Sequence, residues 1–157
     1  MRKTVLFATI ISLIFSNCTA RGPENNVTNT GINPGTNPAI VMHLSSETFK
    51  KMVFNYDVNK EWKYEGNGPA IIDFYADWCP PCRQLSPLVE EIAKEFNGRI
   101  VVYKVNTDKE KLLAQSLGIT NLPTLLYIPA KGNPKVTLGY ITKEKIVKTI
   151  NEVLLIK

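Results

Sequence analysis

The chain is short of the residues that build metal sites. It has one histidine, His43, and three cysteines in 157 residues. A structural zinc site takes four ligands. Cys18 belongs to the N-terminal segment, which leaves only Cys79, Cys82 and His43, so a zinc ribbon is not expected. His43 reads as an ordinary structural residue. A long basic run is also missing. The formal net charge is +5, but Lys and Arg are scattered, mostly over predicted helix faces. That is the pattern of a solvated surface, and nucleic acid is not an expected partner. The basic surplus favours anionic lipid only weakly. There is no internal repeat. The apolar stretch Val5–Phe15 has eleven residues and is broken by Thr9 and Ser12. A bilayer span needs about 20.

What stands there instead is a targeting segment. Arg2 and Lys3 precede the short apolar stretch, and residues 1–20 read as a signal peptide. Ile14-Phe15-Ser16-Asn17-Cys18 resembles a relaxed bacterial lipobox, in which the cysteine becomes the lipidated first residue of the mature protein. Phe15 stands where leucine is usual, and Asn17 where a small residue is. The alternative is ordinary cleavage after Ala20, with Cys18 and Ala20 as the small residues. Both readings put the mature domain outside the cytoplasm; the first expects a periplasmic protein tethered to a membrane through Cys18. Residues 21–39 are rich in Asn, Gly, Pro and Thr and short of large apolar side chains. They cannot bury enough surface to offset their conformational entropy, so a flexible linker is expected. Asn26-Val27-Thr28 matches a glycosylation triplet, which in a bacterial protein reads as chance.

The expected folded domain covers residues 40–157. Ile40–Leu44 reads as a short strand, and Ser45 or Ser46 can cap a helix through Phe49, Met52 and Val53. Asp57–Gly68 reads as a polar loop that contains Trp62 and Tyr64. Pro69–Ala76 reads as a buried strand. Pro81–Phe96 reads as a helix with Leu85, Leu88, Val89, Ile92, Ala93 and Phe96 on one face, ended by Asn97-Gly98. Then come a strand over Ile100–Asn106, a helix over Lys109–Leu117 closed by Gly118, and a strand over Thr124–Ile128. A turn at Lys131-Gly132-Asn133 leads to a strand over Lys135–Leu138, and a helix over Thr142–Leu155 aligns Ile146, Ile150 and Leu154. The order βαβαβαββα predicts an α/β fold. Its central mixed sheet has helices on both faces and an antiparallel hairpin at one edge.

Cys79 and Cys82 form a C-x-x-C pair between a buried strand and an amphipathic helix. At a helix N-terminus, unpaired N–H groups and the positive end of the dipole stabilise a thiolate. The thiolate is the nucleophile. Cys82, one turn on, lies on the same face and can attack a mixed disulfide held on Cys79. Pro81 in the first turn lacks an N–H that would have no partner there. These residues read as a redox couple.

Asp73-Phe74-Tyr75-Ala76-Asp77-Trp78-Cys79-Pro80-Pro81-Cys82 resembles the active-site segment of the thioredoxin family. Leu122-Pro123-Thr124 resembles the family's cis-proline loop, Pro87 its helix proline and Gly139 a glycine beyond the hairpin. The resemblance implies a thioredoxin fold and a redox-active Cys79–Cys82 disulfide without further cofactor or metal. It implies that Asp73 is a buried proton acceptor for Cys82. An unpaired carboxylate in an apolar strand also has its pKa raised. An outward-facing strand aspartate is the alternative. Lys104 matches the family lysine that tunes that carboxylate; a solvated strand-end lysine is the alternative. By resemblance Pro123 is cis and lies against Cys79, with the backbone at Leu122 and Pro123 binding an extended substrate strand; otherwise it is a turn proline. Trp78 and Tyr75 could be core or rim aromatics. The family usually has Gly-Pro between the cysteines. Pro80-Pro81 departs from that, and intervening residues help set the thiolate pKa and the potential.

The resemblance therefore implies a thiol–disulfide oxidoreductase. The expected activity is that of a monomeric reductase or exchanger of disulfides in exported proteins, with a membrane thiol reductant as electron donor. Two alternatives stand beside it. One is an oxidase or isomerase of folding proteins, against which counts the absence of room for a helical insertion. The other is a partner-binding module without turnover, against which count the intact cysteine pair and Asp73.

Overall fold

The structure, a computed structural model, describes residues 41–154. The expected signal peptide, Cys18 and the linker lie outside the described residues, as do residues 155–157. The elements are β1 (Val41–His43), α1 (Ser46–Met52), β2 (Ala70–Tyr75), α2 (Pro80–Phe96), β3 (Val101–Asn106), α3 (Lys111–Ser116), β4 (Thr124–Ile128), β5 (Lys135–Leu138) and α4 (Lys143–Val153). Their order is the one the sequence predicts. The sheet runs β1-β3-β2-β4-β5. β1, β3 and β2 are parallel, whereas β4 is antiparallel to both β2 and β5.

Period-two alternation divides the strands between two apolar cores. Ile71, Val102, Leu125 and Tyr127 face Leu85, Val89, Ile92 and Phe96 of α2 and Ile146 and Ile150 of α4. Ile72, Phe74, Tyr103, Val105, Leu126 and Ile128 face the other way, toward Phe49 of α1 and Leu113 of α3. Helices therefore cover both faces, as βαβ connections require.

Local chemistry sets the boundaries. Ser45 caps α1 in a capping box with Thr48. α2 begins at Pro80, one residue before the predicted start, and ends at Asn97 and Gly98, whose φ angles are 37° and 79°. α3 starts two residues later than predicted. The Asn106 side-chain oxygen accepts from the N–H groups of Asp108 and Lys109, which holds those residues in a turn. The Glu110 carboxylate then serves α1, accepting from the Ser46 N–H at 2.8 Å and from its hydroxyl.

The segment 57–68 is a loop, as predicted, but its aromatics are not solvated. Trp62 packs on Phe54 at 4.9 Å between ring centroids, and the Tyr64 hydroxyl donates to the Gly68 carbonyl at 2.8 Å. A backbone bond from Glu65 N–H to the Val53 carbonyl ties the loop to the end of α1.

Leu85 is fully buried where α2 meets the sheet, whereas Leu112 is 75% exposed. Leu85→Ala is expected to lower unfolding free energy by about 2–5 kcal/mol. Leu112→Ala is expected to change it by no more than about 0.5 kcal/mol. Urea unfolding of both variants checks the contrast.

Candidate active site

β2 delivers the chain into α2 through Ala76-Asp77-Trp78, and the Cys79 N–H donates to the Ala76 carbonyl at 3.2 Å. Cys79 is the N-cap of α2, with φ −84° and ψ 108°. Its Sγ accepts from the Cys82 N–H at 3.2 Å, so sulfur takes the place that a serine or aspartate oxygen usually fills. Pro80 and Pro81 occupy the first two helical positions, where a missing N–H costs no intrahelical bond. Cys79 and Cys82 form a disulfide with Cα atoms 5.3 Å apart. The pair packs against Ala76, with Tyr75 and Leu122 alongside.

A shallow groove opens beside the disulfide. Trp78, Cys79 and Pro81 border it on one side, and Ile119, Asn121 and Leu122 on the other. Cys82 is not among the residues that line it. The Leu122–Pro123 bond is cis, as the resemblance implied. The loop around it is held at two points. The Gly139 N–H donates to the Pro123 carbonyl at 2.7 Å, and the Thr124 hydroxyl donates to the Asn121 carbonyl at 2.7 Å. Gly139 has φ +77°, a conformation that favours glycine.

Asp73 sits in the middle of β2 and is fully buried. Its register partners are Lys104 on β3 and Leu125 on β4. It shares the face of β2 with Ile71, the face that α2 covers. Neither carboxylate oxygen has a hydrogen-bond partner among the described residues. The nearest cation is Lys104, whose Nζ is 4.0 Å from Oδ2. Burial pushes the Asp73 pKa up to about 6, against a smaller downward pull from Lys104.

Lys104 is itself buried, so it is not the solvated strand-end lysine that the sequence left open, and Asp73 is not an outward-facing aspartate. The Lys104 ammonium donates to the Ser86 hydroxyl, stands 3.9 Å from Glu90 Oε1 and lies 5.0 Å from the centre of the Tyr75 ring. Trp78 is 66% exposed and belongs to the rim. Tyr75 is half-buried. Cys18 lies outside the described residues.

The structure thus brings Asp73 and Lys104 together on one side of the α2 N-terminus, and Trp78 and Leu122 on the groove side; Pro123, next in the chain, is not among the residues that line the groove. Two residues near the site were not singled out from sequence, Ser86 and Glu90. Their spacing carried a signal, because they stand four and eight positions after Cys82 on the same helix face. Ile119 and Asn121 carried none, since their place at the groove depends on how the loop before β4 folds back.

The geometry has counterparts in known proteins. The thioredoxin family model matches residues 41–152. A thioredoxin of Borreliella burgdorferi is 42% identical over 72% of this chain and 97% of its own length. Thioredoxin 1 of a Nostoc species is 37% identical over 69% of this chain and 92% of its own. Among solved structures, a chloroplastic thioredoxin z superposes with a TM-score of 0.61 at 27% identity, covering 71% of this chain and 92% of that one. With the family model spanning well over half of the sequence, the chain belongs to the thioredoxin family of thiol–disulfide oxidoreductases, with Cys79 and Cys82 as its disulfide pair.

Proposed function

We propose that the protein is an exported reductase of protein disulfides in which Cys79 attacks, Cys82 resolves and Asp73 accepts the resolving proton. The observation that carries this reading is the position of Cys79. It alone of the pair borders the groove, and its sulfur receives the Cys82 N–H at the α2 N-terminus. A thiolate there is stabilised by the helix dipole and by unpaired N–H groups.

The chemistry balances as follows. The Cys79 thiolate attacks one sulfur of a substrate disulfide, forming a mixed disulfide and expelling the other substrate sulfur as a thiolate that takes a proton from water. Cys82 gives its proton to Asp73 and attacks the Cys79 sulfur, expelling the second substrate thiolate. Two electrons have moved to the substrate, and Cys79–Cys82 is left as the disulfide. A membrane thiol reductant returns the electrons. Leu122 forms part of the opposite wall of the groove, and an extended substrate backbone would lie along it and the cis Leu122–Pro123 bond. Trp78 is an exposed apolar rim beside it, and Pro80 and Pro81 shape the entry to the helix.

The direction of flow is supported by the thioredoxin names of the relatives and by the lack of a helical insertion among the described residues. A reduction potential near the thioredoxin value of about −270 mV is the expected result; one near about −120 mV would make the protein an oxidase instead.

Export and tethering rest on Arg2-Lys3, the short apolar stretch and Cys18, together with a family match that begins only at residue 41. Acylated Cys18 would hold the domain, read as a monomer, at a membrane on the periplasmic side, where disulfide-bearing exported proteins are the substrates.

Three expected outcomes test these assignments. Cys82→Ser is expected to trap a mixed disulfide with substrate, whereas Cys79→Ser is expected to trap none and to abolish insulin reduction; non-reducing electrophoresis reads both. Asp73 has a folded-state pKa near 6, above the ordinary carboxylate value. The fold therefore loses stability as pH rises from about 4 to about 6, by a few kcal/mol at most, and the loss stays constant above that. Asp73→Asn is expected to be more stable than the wild type at pH 7, with the difference vanishing below about pH 4, and to reduce disulfides more slowly by up to about 10²–10⁴-fold. Equal stability at both pH values would remove the buried charge from the account. Finally, Cys18→Ala is expected to abolish membrane association in cell fractions. An unmodified mature N-terminus at Arg21, seen by mass spectrometry, would replace lipidation with ordinary cleavage.

A further inference from the structure

Lys104 is the only cation brought near Asp73 among the described ion pairs, yet it does not touch it. The ammonium stands 4.0 Å from Asp73 Oδ2, beyond hydrogen-bond reach, and both Asp73 oxygens lack partners. Its hydrogen bond goes to the Ser86 hydroxyl on α2. Glu90, one turn further along α2, supplies a second carboxylate at 3.9 Å. A buried ammonium beside a buried bare carboxylate would ordinarily close onto it, because charge-assisted hydrogen bonds are the stronger ones and the low local dielectric strengthens them further. Here two side chains of α2 compete for it.

We propose that Ser86 and Glu90 are positioning residues that hold the Lys104 ammonium out of hydrogen-bond reach of Asp73, so that the carboxyl stays a buried proton acceptor rather than half of a hydrogen-bonded ion pair. The proposal rests on the reading of Asp73 as that acceptor and adds the residues that keep it available. Few titratable groups surround Asp73 among the described residues. β3 contributes Lys104, and β4 contributes only apolar Leu125. α2 contributes Ser86 and Glu90 through their contacts with Lys104, and β2 itself contributes Tyr75. The Tyr75 phenol is pushed up mainly by burial, with Asp77 and Asp73 adding to it, so it stays neutral in the range where Asp73 titrates. With the cysteines joined they carry no proton, and Lys104 and Glu90 are the charged groups that remain.

The geometry has a direction. Without the Ser86 hydroxyl, the buried ammonium loses its one hydrogen bond, and two carboxylates stand about equally far away. Glu90 is half-exposed to solvent, whereas Asp73 is buried without a hydrogen-bond partner among the described residues. The ammonium should therefore close onto Asp73 and hold it ionised to lower pH. An opposite charge at contact lowers a carboxyl by about 1–3 pH units. Removing the Glu90 charge acts the same way, by freeing the ammonium and by relieving like-charge repulsion.

The test is a carbon-13 NMR titration of the Asp73 carboxyl in the oxidised protein, with Asp73→Asn identifying the resonance. The wild-type midpoint is expected near pH 6. Ser86→Ala is expected to lower it by about one pH unit, and Glu90→Gln by a smaller amount in the same direction. Ser86→Thr keeps the hydroxyl and is expected to titrate like the wild type. An unchanged or raised midpoint in Ser86→Ala, or a lowered one in Ser86→Thr, overturns the proposal. The pH profile of insulin reduction by the same variants separates it from the reading beneath. If the carboxyl midpoint falls and the acid limb of turnover does not follow, Ser86 and Glu90 do position Lys104, and it is the role of Asp73 in resolution that fails.

Discussion

Strand β2 is hydrogen-bonded to β3 on one edge and β4 on the other, and its two faces are covered by different helices. The site depends on that enclosure. A strand held on four sides cannot slip in register without moving Ile71 and Asp73 to the wrong core. The same rigidity carries into the turn after Tyr75, so Cys79 reaches the first position of α2 with its sulfur aimed at the Cys82 N–H. Cys79 at the reactive end of α2 borders the groove, while the helix is anchored to the sheet by Leu85, Val89 and Phe96.

The enclosure that orients the cysteines also creates an electrostatic cost. It places a carboxyl where water cannot reach it and where no hydrogen bond relieves it. Such a group persists against its effect on stability when it serves a reaction, and a carboxyl with a pKa near 6 can take a proton from a thiol and release it again near neutral pH. The surrounding polar side chains are arranged to moderate that cost without cancelling it. Lys104 comes close enough to favour the ionised form, and Ser86 and Glu90 keep it from pairing outright.

Much of this was legible in the residues. The strand-to-helix junction could be read from the apolar run Ile71–Tyr75, the proline at the start of a 3.6-residue periodicity and the cysteine spacing. Asp73 was conspicuous because a carboxylate interrupts that run. The errors were local. The Asn106 side chain turned the chain where a helix was expected, and Glu110 was drawn to α1, 64 residues earlier in sequence. The loop 57–68 looked polar because its charged and apolar residues alternate, and only packing against Phe54 showed that Trp62 and Tyr64 are anchors.

By itself the sequence determined the order of elements, the redox pair and the helix end on which it sits. These follow from short-range rules: periodicity over a few turns, capping, and the spacing of two thiols on one helical face. It did not determine which face Asp73 takes, whether Lys104 meets it or water, which loop closes the groove, or what competes for the lysine. Each of those depends on a contact between segments far apart in the chain: β2 with β3, α2 with β3, and the loop before β4 with the start of α2. The free energy of such a contact is set by burial and dielectric, which exist only once the sheet and its helices have closed over one another.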